Sequence, residues 1–213
     1  MYERHEQLLS QCMEKIKKTK VLVAGLGGLG STVLNLLART GFEHLYAVDH
    51  KIVDEPDLNR QILYDHGDLG RRKVDAAVEK IKKINPQCSL TTFEKPLQEV
   101  DFPEIDIAVD CLDNFKSRFV LDAFCQRKQI PLVHGGVCEF RGQIATIIPG
   151  QTHSLRDLYH GVKEQTSFQV FPGAVVLIAC LQVTEVVKLT CGSDHLNGKI
   201  LQVNLKEYSM EIF

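Results

Sequence analysis

Two basic side chains and one carboxylate, Arg60, Lys73 and Asp113, follow a glycine loop in an order that suits polyphosphate chemistry. Arg60 sits in DLNRQILY (57–64) between Asn59 and Gln61, and Lys73 opens the next helical stretch. Asp113 lies in DCLDN (110–114), just past a buried apolar run, where open α/β sheets bind their ligands. Arginine and lysine neutralise a triphosphate and the charge that builds on its α-phosphorus, and a carboxylate there holds Mg²⁺. Each residue also has a plain structural reading. Arg60 suits a surface ion pair, Lys73 a solvated helix face, and Asp113 a helix N-cap, a role equally open to Asn114. Their joint appearance in this order favours the chemistry.

The loop itself is KVLVAGLGGLGS (20–31), with Gly25, Gly27 and Gly30 at G-x-G-x-x-G spacing between an apolar run and a helical stretch. Asp49 closes a second apolar run 19 residues after Gly30. This is the layout of a nucleotide-binding βαβ unit. Glycines admit phosphate close to the backbone, the helix N-terminus offers free N–H groups, and the carboxylate accepts ribose hydroxyls.

The elements that must position these residues read along the chain as follows. Leu8, Leu9, Cys12, Met13 and Ile16 share one stripe, predicting an amphipathic helix over 3–18. Strand 21–24, helix 30–40 stopped by Gly41, and strand 44–49 come next. A long polar segment (50–70) precedes a helix ended by Asn85-Pro86. Strands 88–93 and 105–110, a helix over 114–128, and a close pair of strands, 130–134 and 141–149, follow. After a patternless stretch (150–170) come a long apolar helix (173–190) and an edge strand (199–205). The alternation predicts one α/β domain over 1–213. It is a Rossmann-like doubly wound sheet, parallel in its core and antiparallel toward the C-terminus, with an N-terminal helix.

Bulk properties exclude several classes. The net charge of −2 gives no basic excess for nucleic acid, and KIKKTK (15–20) and EKIKKI (79–84) read as solvated helix faces. Seven cysteines, scattered and never spaced C-x-x-C, argue for a reducing, cytoplasmic setting and against a disulfide framework. MYERHEQ has no signal-peptide pattern, and Ala174–Val183 is too short to span a bilayer, so a soluble protein is expected.

GLGGLGS, VDHKIVDEPDLNRQILY, GRRKVDAA, DCLDN and IPLVHGGVCEFRGQI, in that order, resemble the ThiF/MoeB/HesA family, small relatives of ubiquitin-activating enzymes. The resemblance covers nearly the whole chain. It implies a homodimer that uses ATP and Mg²⁺ to adenylate a carboxylate, releasing pyrophosphate. By position, Gly25, Gly27, Gly28 and Gly30 would lie against the nucleotide and Asp49 would bind its ribose. Asn59, Arg60, Gln61 and Lys73 would contact phosphates, and Asp113 would position Mg²⁺. The family also sends an N-terminal arginine into its partner's site; in RHEQLL (4–9) that residue is Arg4.

The departures from the family narrow the expectation. Where a zinc segment would read T-P-C-x-x-C-L, this chain has THSLRDL (152–158), with Ser154 and Asp157 in place of thiolates, and the second C-x-x-C is missing. No zinc site is expected. Residues 139–179 contain no cysteine, and Cys180 and Cys191 read as packed into an apolar helix. The chain is therefore expected to stop at the acyl-adenylate and pass it to a thiol on another protein. That profile is similar to the family branch that adenylates guanylylpyridinol during biosynthesis of the iron-guanylylpyridinol cofactor of [Fe]-hydrogenase. Activators of Gly-Gly-ended carrier proteins, a non-catalytic nucleotide-binding scaffold and, more distantly, an NAD-dependent dehydrogenase are the competing readings. Gln143, His134 and Arg156 are polar residues near predicted strand ends or in the second polar stretch, candidates for a substrate pocket that ordinary hydrogen bonding would equally explain.

Overall fold

The computed structural model describes residues 1–162 and 169–213; part of the patternless stretch, 163–168, lies outside them. Eight strands form a single sheet in the order β3-β2-β1-β4-β5-β6-β7-β8. β1 (Lys20–Ala24), β2 (His44–Val48), β3 (Ser89–Phe93), β4 (Ile107–Asp110) and β5 (Leu132–Cys138) pair in parallel. β6 (Arg141–Ile147), β7 (Ile200–Asn204) and β8 (Ser209–Ile212) extend it antiparallel. The expected doubly wound, mixed sheet is therefore present.

Strand periodicity divides the core in two. Val21 and Val23 of β1 face one apolar cluster, while Leu22 and Ala24 face the other. The first cluster takes in buried residues of α3 (Gly28–Thr40), α4 (Lys73–Ile84) and α7 (Pro172–Cys191). The second lies beneath α5 (Phe115–Lys128) and the single-turn α6 (Leu155–Leu158). The chain reverses winding between β1 and β4, so their carboxyl ends splay apart and open a crevice.

Several expectations are corrected. The N-terminal helix is two short pieces, α1 (Glu3–Glu6) and α2 (Met13–Lys18), and Leu8 is 84% exposed rather than on the buried stripe. Cys12, Met13 and Ile16 do face the core. Strand β7 is not the edge, because β8 covers it. The cysteines are not all free: Cys12 at the N-cap of α2 and Cys191 at the end of α7 form a disulfide across 179 residues. Folding sets their Cα atoms 5.4 Å apart, a proximity that no local spacing encodes. Cys88, Cys111 and Cys125 are buried thiols, and burial pushes the Cys88 thiol up to about 12.

The apolar helix α7 is 20 residues long, enough to cross a bilayer by length and composition, rather than falling short of it. It instead packs inward, and its buried Gln182 and Glu185 are fully engaged. Gln182 donates to Asp110 O at 2.9 Å, while Glu185 accepts from Thr146 Oγ1 at 2.5 Å and Leu196 N at 2.8 Å.

Candidate functional site

A cleft of about 1560 Å³ opens at the carboxyl ends of β1, β2, β4 and β5. Its floor is the glycine loop. Gly25 has φ +90°, and a Cβ there would stand 2.8 Å from the Cys111 carbonyl oxygen, so the turn demands glycine. Gly27 caps α3, and Gly28 packs so closely that a Cβ would meet Val175 at 2.9 Å and Arg60 at 3.4 Å. Gly30 is buried in the first turn of α3, away from the cleft lining, where the helix rests on the carbonyl of Gly25. The α3 N-terminus thus presents its unpaired N–H groups to the cleft.

Asp49 follows β2 and accepts from two backbone amides, Leu26 N at 2.7 Å and Lys51 N at 2.8 Å. A carboxylate offers about four lone-pair sites, so acceptor capacity remains for a ribose hydroxyl. Tyr64 donates to Leu26 O at 3.1 Å, fastening the polar segment to the glycine loop.

That segment carries the cationic wall. The first of its two 3₁₀ turns, Glu55–Asp57, is capped reciprocally by Asp54 and Asp57. Asp57 and Arg60, three residues apart, share a face, and Gln61 stands beside them. Lys73, the first residue of α4, has a side chain only 4% exposed, and its Nζ lies 3.0 Å from Asp57 Oδ2. Arg60 donates to Pro56 O at 2.8 Å and to Asn59 Oδ1 at 3.0 Å. Gln61 donates from Nε2 to Asp57 Oδ1 at 2.6 Å, and its buried Oε1 is the one buried side-chain polar atom without a partner among the described residues. Arg60, Gln61 and Lys73 therefore line the cleft together, as expected, but Asn59 does not: it is exposed and turned outward, and Asp57 occupies the inner position.

Asp113 stands opposite, just before the N-cap of α5. Asn114 takes the cap, accepting from Ser117 N at 2.8 Å, which leaves Asp113 free of that duty. Burial pushes the Asp113 carboxyl up, but Lys51 Nζ at 2.8 Å and the Asn114 amide at 3.0 Å outweigh it and hold it below its usual value. No group of three or more His, Cys, Asp or Glu able to hold a metal occurs among the described residues. A single carboxylate nevertheless suits Mg²⁺, which takes most of its ligands from phosphate and water. Ser154 and Asp157, at the positions of the absent thiolates, form the capping box of α6.

The far end of the cleft holds a network that sequence reasoning reached only in part. Buried His134 bonds through Nδ1 to the buried Asp110 carboxylate at 2.7 Å and through Nε2 to Tyr159 Oη at 2.8 Å. Gln143 donates to the same phenol oxygen, and Phe115 packs on the Tyr159 ring at 4.7 Å. Arg118 closes the group, donating to Leu112 O at 2.7 Å and Gly135 O at 3.2 Å. Tyr159, Gln143 and Arg118 line the cleft, with His134 and Asp110 beneath. Arg156 lies outside it, with its guanidinium over the Phe119 ring at 4.9 Å. Cys138 lines the cleft as a partly exposed free thiol, whereas Cys180 does not. Arg4 is exposed on α1, outside the cleft of its own chain.

Burial pushes the His134 imidazole below its ordinary value of 6.5, against the pull of Asp110 and with the help of Arg118. The unfolded chain then binds a proton that the native chain refuses, so stability falls as pH drops below about 6.5. Replacing His134 by glutamine is expected to remove this slope. The difference in melting temperature between pH 7.5 and 5.5 should be smaller in the variant than in the native chain, despite a lower value at pH 7.5.

A glycine loop at a helix N-terminus, a strand-end carboxylate and a cationic wall at the switch point define a nucleotide-binding α/β protein of the doubly wound class. The ThiF family model matches residues 2–213, and the chain belongs to that family. It is 32% identical over 230 residues to the "Probable molybdopterin-synthase adenylyltransferase" of Porphyra purpurea, covering 100% of this chain and 59% of that protein. It therefore spans about three-fifths of that relative's length. The SAMP-activating enzyme E1 of Haloferax volcanii is 29% identical, with 99% of this chain and 83% of that protein covered. Among solved structures, E. coli MccB with ATP superposes with a TM-score of 0.83 at 20% identity, over 96% of this chain and 65% of that one. That likeness concerns the fold.

Proposed function

We propose that this protein binds ATP with Mg²⁺ and adenylates a substrate carboxylate, releasing pyrophosphate. The observation that carries the reading is the convergence of Arg60, Lys73 and Asp113 on one cleft beside the glycine loop. Chemistry proceeds by in-line attack of the carboxylate on the α-phosphorus. The acid is already ionised at neutral pH, so positioning and charge neutralisation suffice and no general base is needed. Lys73 and Arg60 meet the negative charge of the triphosphate, Asp49 holds the ribose, and the α3 N-terminus faces the phosphates. Asp113 would hold Mg²⁺, which would supply further charge neutralisation there.

The acid is a small molecule, and guanylylpyridinol is our first choice, by the resemblance to HcgE, which lacks the same zinc and thiol features. The polar and aromatic end of the cleft at Tyr159, Gln143 and Phe115 would receive it. The acyl group then passes to a thiol on a separate protein, the chain works in the cytoplasm as a homodimer, and Arg4 reaches the partner's site. The Gly-Gly end of a carrier protein is the competing substrate; the Porphyra relative is named for adenylylating molybdopterin synthase and the Haloferax one for activating SAMP.

Calorimetry is expected to show one ATP site per chain with Mg²⁺ present and much weaker uptake without it. Pyrophosphate release should then depend on guanylylpyridinol rather than on a Gly-Gly-ended carrier. Folded protein that takes up no ATP would reject the adenylation reading, and turnover with the carrier alone would reject the small-molecule substrate.

A further inference from the structure

Every side chain offered to the phosphates is tied to one carboxylate that no phosphate-binding role explains. Asp57 Oδ2 pairs with Lys73 Nζ at 3.0 Å and accepts from Asp54 N at 3.2 Å. Its Oδ1 accepts from Gln61 Nε2 at 2.6 Å and lies 3.6 Å from Arg60 Nη2. The carboxylate is 16% exposed and lines the cleft, so this negative charge stands within the cationic wall. Two effects follow with opposite signs. A buried lysine needs a counter-charge, and Asp57 supplies it while fixing Lys73 and Arg60 in one arrangement. The same charge repels phosphate oxygens that approach those cations, and like charges brought together at a binding surface are costly.

We propose that Asp57 is a positioning residue that deliberately weakens the cleft's hold on phosphate. It keeps Lys73 and Arg60 in reacting geometry while limiting affinity for ATP and pyrophosphate, so that pyrophosphate leaves after the bond between the α- and β-phosphates breaks. The proposal rests on the adenylation reading above. Asp57 also caps the 3₁₀ turn, and a purely structural role would make its loss weaken both stability and phosphate binding together. The tuning role requires the two to separate.

The test uses the full chain and its Asp57→Asn and Asp57→Ser variants, titrated calorimetrically with Mg²⁺-ATP and with Mg²⁺-pyrophosphate. Asp57→Asn removes the charge but keeps one acceptor oxygen for the cap, and its amide nitrogen can donate to Gln61 Oε1 once the Gln61 amide turns over. It is expected to bind pyrophosphate on the order of tenfold more tightly, the scale of one close charge in a partly buried site. ATP affinity should rise with it, while kcat for pyrophosphate release falls. Asp57→Ser should tighten binding in the same direction. Unchanged or weaker pyrophosphate binding in a variant that melts like the native chain would overturn the proposal, with the adenylation reading intact. Failure of both variants to fold assigns Asp57 to stability and overturns it as well. A folded native chain that binds neither ligand sinks the adenylation reading itself, and the proposal with it.

Discussion

Lys73→Ala is expected to lower kcat/KM for carboxylate-dependent pyrophosphate release by at least about 100-fold, which is about 2.7 kcal/mol of lost transition-state stabilisation. The magnitude follows from where Lys73 stands. Its side chain is 4% exposed, and its ammonium is therefore screened less by water than a surface charge would be. Arg60 and Asp113 are more open, with side-chain exposures of 31% and 69%. Their alanine variants should lose on the order of 100-fold too, with Lys73 the largest of the three. Lys73→Ala also strands part of the Asp57 charge, and a fall in melting temperature is expected beside the kinetic loss. Lys73→Arg separates these effects. It restores the counter-charge and stability, but a guanidinium cannot occupy the point occupied by an ammonium, so activity should recover only in part. Equal rates for Lys73→Ala and the native chain would remove the basis of the mechanism.

How far the site could be read in the sequence depends on the range over which each residue acts. The glycine loop, Asp49 and the start of α3 follow from local backbone demands, and those are written in consecutive residues. Gly25 at φ +90° and Gly41, the left-handed cap of α3, are legible for the same reason. Arg60, Gln61 and Lys73 are legible as a set, whereas the sequence offers Asn59 beside them and the structure sets Asp57 in the cleft instead. The 3₁₀ turn decides between them, and its three-residue repeat is not visible in an irregular, proline-containing segment. Asp110 and Tyr159 gain their roles through His134, which lies 24 and 25 residues away in sequence. Only the pairing of β4 with β5 brings His134 opposite Asp110. Strand β8 escaped because its Ser-Met-Glu-Ile alternation spans only four residues, too few to establish a period after the turn at Tyr208, φ +53°. The disulfide is the extreme case, being set wholly by the packing of α2 against α7.

Gly30→Ala is expected to destabilise the fold by at least about 3 kcal/mol, at the upper end of what overpacking costs. An exposed helix position would gain about 1 kcal/mol from the same change, because alanine is the better helix former. At position 30 the neighbour decides. A Cβ there would overlap the carbonyl oxygen of Gly25, and the Cys111 Cβ at 3.3 Å leaves no room on the other side. The Gly25 carbonyl belongs to backbone already held at φ +90° and by the hydrogen bond that Gly25 N donates to Val48 O at 2.9 Å, so no side-chain rotation relieves the clash. The helix must move off β1, and the nucleotide loop between them must open. Urea unfolding should therefore show a lower midpoint, and ATP uptake should fall even under conditions where the variant remains folded. Thr184→Ala, on the exposed side of α7, serves as the comparison and should stay within about 0.5 kcal/mol of the native chain. A Gly30→Ala variant as stable as that control would mean that α3 does not rest on the loop through this glycine. The closeness of helix to strand, on which the site's supply of free N–H groups depends, would then have to come from elsewhere in the sheet.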